Sequence, residues 1–169
     1  SSAASDVYKR QAGSLGHGLS MAVGLGLGAK QLKKPWKTVC LMGDGECCEG
    51  SVWEAAMSAA HFKLDNIVGI VDRNRLMIDG CTEDVMALEP FADKWRAFGW
   101  NVIEVNGHDL DELDCALDAA WKAEGKPTLI LANTVKGKGV DFMENNVVYH
   151  YASGDSALCE KAKASIMRG

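Results

Sequence analysis

The chain has 169 residues, of which 47% are hydrophobic and 24% are charged, and its formal charge is −5 at pH 7. This composition fits one packed globular domain and excludes disordered and fibrous proteins. The acidic balance predicts no nucleic-acid partner, so any phosphate that binds must be held by helix N-termini and a metal ion.

The sequence also limits the cellular location of the protein and the chemistry of its cysteines. No window reaches the roughly 18 apolar residues of a membrane span, and no signal-peptide pattern is present, so we expect a cytoplasmic protein with no membrane partner. The six cysteines have no C-x-x-C spacing, which favours buried reduced thiols over a zinc site or disulfides.

Residues 1–11 have no helical or strand period. We interpret them as a non-native or disordered leader, followed over 12–169 by an N-terminally truncated domain.

The first half of the chain alternates between helical and strand patterns. Apolar residues at helical spacing predict a helix over Leu15–Lys34, and the alternate glycines within it indicate close packing against a neighbour. Thr38–Met42 and Ile67–Val71 are short apolar runs typical of buried strands. Between them, Ser51-x-x-Glu54 has the spacing of a capping box and predicts the start of a second helix.

The second half continues this alternation. We predict helices over 90–98, 109–122 and 155–168, and strands over 102–105 and 128–135. Strands that are apolar on both faces and alternate with helices imply βαβ units. The predicted fold class is therefore α/β, a doubly wound parallel sheet with helices on both faces.

Two strand exits carry polar residues that suit a metal ion. The first strand ends at Gly43-Asp44-Gly45, where a carboxylate stands between two residues without Cβ, so a phosphate oxygen could approach the backbone. Taken alone, this segment is often only a turn. Asn74 follows the next strand, at a distance along the chain that one βαβ unit consumes, so its side chain and that of Asp44 can converge. Together with a backbone carbonyl they offer the oxygen ligands that Mg²⁺ takes.

This pairing resembles the thiamine diphosphate motif of the thiamine-dependent enzymes. Longer segments are similar to transketolases, in particular to the diphosphate-binding subunit of the split, two-subunit bacterial form. The segments are GSLGHGLSMAVGLGLG from Gly13, GDGECCEGSVWEAA from Gly43, HFKLDNIVGIVDRNRLMIDG from His61 and VKGKGVDFMENN from Val135. The resemblance covers roughly residues 13–154 and implies the diphosphate-binding domain of that fold.

The resemblance implies a cofactor site residue by residue. Asp44, Asn74 and the carbonyl of Leu76 would ligate Mg²⁺. Gly43 and Gly45 flank the aspartate, and Gly45 together with Asn74 would also meet the diphosphate. Both cofactors, thiamine diphosphate and Mg²⁺, would thus be bound between the two strand exits.

Further contacts follow from the same resemblance. Gly13, Ser14 and Leu15 match a G-x-L segment that lies near the cofactor's rings in relatives. His150 matches a histidine that reaches the diphosphate and the substrate in transketolases, although Tyr151 stands where relatives have glycine. We therefore assign His150 both a cofactor-binding and a catalytic role.

Two glutamates complete the assigned residues. Glu49 and Glu54 match acidic residues that link the two active sites across the family's dimer interface. Glu54 also fits the role of capping-box partner of Ser51, and the two roles are compatible. For the histidines outside the motif, we expect His17 to pack near the cofactor site and His108 to lie on the surface before a helix.

The implied reaction is transfer of a two-carbon ketol unit from a ketose phosphate to an aldose phosphate, as in the pentose phosphate pathway. The implied partners are sugar phosphates and a C-terminal transketolase subunit or pyrimidine-binding domain, in a homodimer or an α2β2 assembly. We expect the chain alone to be inactive, since the family's activating glutamate and early histidines have no match in it. The alternatives are another thiamine diphosphate enzyme, such as deoxyxylulose-phosphate synthase or a 2-oxo acid dehydrogenase subunit, and a non-catalytic module that binds Mg²⁺ and a nucleotide.

Overall fold

The computed structural model describes residues 16–151 and 154–168. The predicted leader and the predicted cofactor contacts Gly13, Ser14 and Leu15 lie outside the described residues. The strands are β1 (Thr38–Gly43), β2 (Ile67–Arg73), β3 (Leu76–Met77), β4 (Gly80–Cys81), β5 (Asn101–Asn106) and β6 (Thr128–Asn133). The helices are α1 (Gly18–Gln31), α2 (Gly50–His61), α3 (Thr82–Val85), α4 (Phe91–Ala97), α5 (Leu110–Lys122) and α6 (Ser156–Ile166), with 3₁₀ turns at Gly45–Cys48 and Val147–Tyr151.

Within the described residues, the main sheet has four strands in the order β1-β2-β6-β5. All of its neighbouring pairs are parallel. The short strands β3 and β4 form a separate antiparallel ribbon directly after β2. None of the helices described is both long and apolar enough to cross a membrane.

Helices cover both faces of the main sheet. Successive residues of a strand point to opposite faces, so Ile67 and Val71 join the core formed with α1, α2 and α4. Val68 and Ile130 instead pack with the apolar side of α5. The α/β parallel fold with helices on both faces is therefore confirmed.

Buried aromatic rings attach α4 to α2. Phe91 and Trp95 are fully buried, and Trp95 lies 5.1 Å from both Trp53 and Trp100, measured between ring centroids. The indole of Trp100 donates a hydrogen bond to the Ala56 carbonyl (2.9 Å), which satisfies its polar atom inside the core. This cluster fixes the chain segment between β2 and β5 against the layer that carries the first strand exit.

The predicted capping box is wrong. Helix α2 begins at Gly50, and its N-cap residue Glu49 makes no side-chain capping bond. The hydroxyl of Ser51 donates instead to the Gly16 carbonyl (2.7 Å). The sequence spacing was correct for a cap, but a long-range partner competes for the hydroxyl.

Close packing explains only one of the three alternate glycines of α1, Gly24, Gly26 and Gly28. A Cβ at Gly26 would come within 2.8 Å of Ile67, so that prediction is confirmed. At Gly24 and Gly28 a Cβ would meet nothing within 4 Å, so close packing is wrong for these two positions.

The prediction of buried thiols holds for two of the cysteines. Cys40 and Cys47 are buried, whereas the exposed cysteines are Cys48, Cys115 and Cys159. Burial raises the pKa of Cys40 to about 11, and the neighbouring Glu46 carboxylate adds to this effect. Cys40 is therefore a protonated, unreactive thiol at neutral pH.

Candidate functional site

The carboxyl ends of β1 and β2 lie side by side. Gly43 pairs with Asp72 in the parallel register, and the Asp44 amide donates to the Asp72 carbonyl (3.2 Å). The residues that follow each strand are therefore neighbours, as expected for adjacent parallel strands.

Asp44 is almost completely buried, with 1% of its surface exposed. Its Oδ1 accepts a hydrogen bond from the Gly45 amide (2.7 Å). Its Oδ2 accepts from the Arg73 guanidinium (3.1 Å) and from the Arg75 amide (2.6 Å). Because Arg75 directly follows Asn74, the carboxylate of the first strand exit contacts the loop of the second.

Arg73 is the cation that makes this burial possible. It is 2% exposed and also contacts Glu83 (3.0 Å), Glu89 (2.8 Å) and the Thr82 hydroxyl (2.8 Å). Burial lowers the pKa of Arg73, but hydrogen bonds to Glu89, Asp44 and Glu83 outweigh burial and raise that pKa above its ordinary value. Arg73 is therefore charged at neutral pH.

Arg73 also lowers the pKa values of the two outer carboxylates, Glu83 and Glu89. The hydrogen bond from Arg73 and the Phe91 amide lower the pKa of Glu89. Partial burial raises the pKa of Glu83, but hydrogen bonds from the Glu89 and Leu88 amides and from Arg73 outweigh it and lower that pKa. With one guanidinium against three carboxylates, the cluster keeps an excess of negative charge.

Asn74 has a defined amide orientation. Its Nδ2 donates to Asp72 Oδ1 (3.3 Å), and its Oδ1 accepts from the Leu76 amide (3.0 Å). A carboxylate can only accept and a backbone amide can only donate, so the two partners distinguish the oxygen of the side chain from its nitrogen. The oxygen is thus the atom directed to the start of β3.

The donor set fits a magnesium ion. Asp44 Oδ1 accepts one hydrogen bond, so one of its two lone pairs stays available, and the amide oxygen of Asn74 likewise keeps one. The excess negative charge around Arg73 favours a cation beside it. Within the described ranges, no three His, Cys, Asp or Glu residues form a metal cluster. Mg²⁺ is usually held in proteins by only one or two carboxylates, with water and substrate phosphates as further ligands.

Glu46 is a structural residue of this region that sequence reasoning missed. Its two carboxylate oxygens accept hydrogen bonds from the Gly16 amide (2.8 Å) and the Gly43 amide (3.2 Å). Together with the bond from Ser51 to the Gly16 carbonyl, it holds the start of the described chain against the first strand exit. The signal available in the sequence was an acidic residue directly after the glycine–aspartate–glycine turn.

The turn itself requires glycine on one side. A Cβ at Gly45 would lie 3.0 Å from the Cβ of Met77, so any larger residue would push β3 away. The turn and β3, which begins at the predicted ligand Leu76, are therefore packed against each other. At Gly43, by contrast, a Cβ would meet nothing within 4 Å.

The remaining predicted residues lie at the surface. His150 is exposed in the turn Val147–Tyr151, which contacts β3. Glu49 and Glu54 are exposed at the start of α2. The structure thus brings Asp44, Asn74 and Leu76 together, while the roles of His150 and the two glutamates stay predictions.

The exits of β5 and β6 are tied to the same edge. His108 is exposed, but it is more than a surface residue, because its Nε2 accepts a hydrogen bond from the Val135 amide (2.7 Å). The hydroxyl of Thr134 donates to Asp72 Oδ1, and the Thr134 amide donates to the Arg73 carbonyl (3.2 Å). All strand exits of the main sheet are therefore joined in one hydrogen-bonded edge.

A cleft of about 350 Å³ lies beside this region, next to Cys48, Met86 and Lys94. None of the predicted metal or diphosphate ligands lines it. The cleft is therefore separate from the candidate site.

Comparison with known proteins identifies the family of the chain. The family described as "Transketolase, thiamine diphosphate binding domain" matches residues 3–166. Among curated proteins, the chain is 47% identical to one subunit of the apulose-4-phosphate transketolase of Phocaeicola vulgatus, over 89% of this chain and 53% of that protein. It is 46% identical to a 6-deoxy-6-sulfo-D-fructose transketolase subunit of a Clostridium species, over 82% of this chain and 50% of that protein.

Solved structures show the same fold. Transketolase from Campylobacter jejuni superposes with a TM-score of 0.84 at 34% identity, covering 90% of this chain and 25% of that one. Transketolase from Pichia stipitis in complex with sedoheptulose-7-phosphate superposes with a TM-score of 0.82 at 28% identity, covering 92% of this chain and 24% of that one. The chain spans about half the length of the curated relatives named above.

Proposed function

Because the chain belongs to the thiamine diphosphate-binding domain family of transketolases, we propose that it binds thiamine diphosphate through Mg²⁺ for ketol transfer. The observation that carries the proposal is the contact between the two strand exits. Asp44 Oδ2 accepts from the Arg75 amide (2.6 Å), which holds the carboxylate beside the Asn74 loop. An acidic residue buried to this degree, with an available lone pair, suits a bound cation.

In this proposal the chain's own residues hold and orient the cofactor. Asp44, Asn74 and the carbonyl of Leu76 would ligate Mg²⁺, and the backbone at Gly43 and Gly45 would meet the diphosphate. The predicted contacts of Gly13, Ser14 and Leu15 with the cofactor's rings belong to the proposal as well. When bound, thiamine diphosphate supplies the carbon nucleophile and the electron sink that breaking a ketose carbon–carbon bond requires.

The protein contributes position and electrostatics. A cofactor anchored by its diphosphate tail keeps a fixed relation to the fold, which favours reaction through orientation. His150 would contact the diphosphate and the substrate from the turn that packs against β3. Glu49 and Glu54, exposed at the start of α2, would meet the second active site across a dimer interface.

The relatives' names support a proposal for the substrate class. One relative is named for apulose-4-phosphate and another for 6-deoxy-6-sulfo-D-fructose. Both sugars are ketoses with a terminal anionic group. We therefore propose a ketose of this kind as the donor and an aldose phosphate as the acceptor.

We also propose a partner subunit that carries the pyrimidine-binding domain. Two of the relatives are named as subunits, and the chain spans only about half their length. An assembly of two copies of each subunit, or a homodimer with the partner domain in the same chain, would complete the active site. Ketol transfer by this polypeptide alone would contradict the partner requirement.

Calorimetry tests the cofactor proposal against a nucleotide-binding module. The full-length protein, purified with its partner subunit, is titrated with thiamine diphosphate and with ATP, each with and without Mg²⁺. We expect thiamine diphosphate to bind only with Mg²⁺ and ATP not to bind. Tighter binding of Mg²⁺–ATP, or no metal-dependent binding of thiamine diphosphate, would overturn the proposal.

A further inference from the structure

Asp72 and Thr134 form a polar contact at the same edge of the sheet that the cofactor site does not use directly. Asp72 is exposed at the end of β2, and Thr134 directly follows β6. The Thr134 hydroxyl and the Asn74 amide nitrogen both donate to Asp72 Oδ1. One carboxylate oxygen thus joins the exit of β6 to the side chain predicted to ligate the metal.

The amide of Asn74 can serve a cation in only one of its two orientations. Its oxygen has lone pairs, whereas its NH₂ group has two donor hydrogens and no lone pair to offer a metal. Rotation by 180° about the last side-chain bond exchanges these groups at almost no steric cost. Solvent alone would not select between the two orientations, because water accepts and donates equally well.

From this contact we infer that Asp72, held by Thr134, is the positioning residue that keeps the Asn74 oxygen directed to the metal. The inference rests on the proposed function. Asp72 can only accept a hydrogen bond, so it admits the Asn74 nitrogen and repels the oxygen. The Leu76 amide, a donor, favours the same orientation from the other side.

Thr134 has its own part in this arrangement. Asp72 is exposed, so water competes for its carboxylate and its rotamer is not fixed by packing. The hydroxyl of Thr134, whose amide is bonded to the Arg73 carbonyl (3.2 Å), gives the carboxylate a fixed partner directly after the neighbouring strand. The orientation of a predicted ligand is thereby coupled to the β2–β6 pairing.

The test measures metal binding and stability separately. Affinity for Mn²⁺ in the presence of thiamine diphosphate is followed by electron paramagnetic resonance in the full-length protein with its partner subunit. Melting temperature is recorded for each variant without ligand. The variants are Asp72→Ala, Asp72→Asn, Thr134→Val and Thr134→Ser, and the control is Asp118→Asn on the exposed side of α5, which removes one carboxylate far from the site.

We expect Asp72→Ala to weaken Mn²⁺ binding about tenfold, as is common when the partner that orients a metal ligand is lost. Asp72→Asn keeps an oxygen that can accept the same bonds, so it should lose less than Asp72→Ala. Thr134→Val should weaken binding about threefold, the effect of one lost hydrogen bond, and Thr134→Ser should restore it. Melting temperatures and the control's affinity should match those of the wild type.

Each other result counts against the inference. Wild-type affinity in Asp72→Ala would overturn it while leaving the proposed function intact. Equal losses of Mn²⁺ affinity in Asp72→Ala and Asp72→Asn would contradict the positioning role, because they would show that only the charge of the carboxylate matters. No Mn²⁺ binding by the wild type with thiamine diphosphate would overturn both the inference and the proposed function.

Discussion

The two ends of the central sheet each hold a carboxylate against a cation and a backbone amide, but they balance charge differently. At the amino end, Asp65 accepts from Lys30 (2.7 Å) and from the Gly125 amide (2.8 Å). It remains 30% exposed and has this lysine as its own counter-ion. At the carboxyl end, Asp44 is 1% exposed and shares Arg73 with two further carboxylates.

We use this difference to distinguish a structural contact from the proposed metal site. The pair at the amino end is neutral as a unit and joins chain segments, so its role is complete within the fold. The carboxyl end keeps excess negative charge where backbone amides and an amide oxygen also converge. Such an arrangement is costly unless a cation joins it, which is why we place the metal there.

The largest difference in cofactor binding is expected when the carboxylate at each end of the sheet is replaced by alanine. Asp44→Ala removes the proposed metal ligand, so we expect Mg²⁺-dependent thiamine diphosphate binding to weaken about 100-fold or more. The matched variant Asp65→Ala removes a carboxylate at the other end and should leave that binding unchanged. Calorimetry on the full-length protein with its partner measures both. Similar losses in the two variants would mean that the ends do not differ as described.

The next largest effect concerns the buried cation. Arg73→Met leaves Asp44 buried without its counter-ion, and we expect a loss of about 3–5 kcal/mol in the free energy of unfolding. Arg96→Met removes an arginine that bridges two exposed carboxylates, and should leave stability unchanged within error. Urea denaturation compares the two. A loss in Arg73→Met no larger than in the control would show that the cluster does not support the fold.

Acid should weaken the carboxyl end more than the amino end. The pKa values of Glu83 and Glu89 are lowered in the folded state, so their stabilisation is present above the unfolded-state pKa of about 4.3. That stabilisation is lost as the pH falls through the lowered folded-state pKa values. We expect the double variant Glu83→Gln/Glu89→Gln to flatten the decrease in melting temperature between about pH 5 and pH 3. An unchanged slope would contradict the coupling of these residues to Arg73.

The smallest effect is expected at the amino end. Partial burial raises the pKa of Asp65, but hydrogen bonds from Lys30 and the Gly125 amide outweigh it and lower that pKa. Because the pair is partly exposed and screened, Asp65→Asn should cost at most about 1 kcal/mol of unfolding free energy at pH 7. As the pH falls through the lowered folded-state pKa of Asp65, the variant and the wild type should converge. A cost above that of Arg73→Met would reverse the comparison.

The order of helices and strands was predictable because each long element has a clear period or apolar run. Such local patterns predict strand β2 and the turn after β1. The βαβ topology then predicts that the carboxyl ends of β1 and β2 are neighbours. The strands β3 and β4 have two residues each, which is too short for any period to show. The ribbon they form therefore appears only in the structure.

The burial of Arg73 could not be read from the sequence. It stands at a polar strand exit, where an arginine normally reaches solvent. The residues that enclose it, Thr82, Glu83 and Glu89, lie in a segment without long helices or strands. Only the folded chain shows that this segment lies over the strand exit.

Glu46 and His108 illustrate the same limit. Each bonds to a backbone amide far away in the chain, Glu46 to Gly16 and His108 to Val135. Almost any residue can supply a backbone amide, so a hydrogen bond to one does not constrain the partner's residue type and leaves no signal in the sequence. The chemistry of a site can therefore be predicted from local motifs, whereas the residues that support it depend on tertiary contacts.

Diffraction at the Mn²⁺ absorption edge tests the central claim most directly. Crystals of the full-length protein with its partner are grown with thiamine diphosphate and Mn²⁺ in place of Mg²⁺. We predict one anomalous peak within about 2.2 Å of Asp44 Oδ1, Asn74 Oδ1 and the Leu76 carbonyl. A peak bound by other residues, with Asp44 and Asn74 free of metal, would contradict the account.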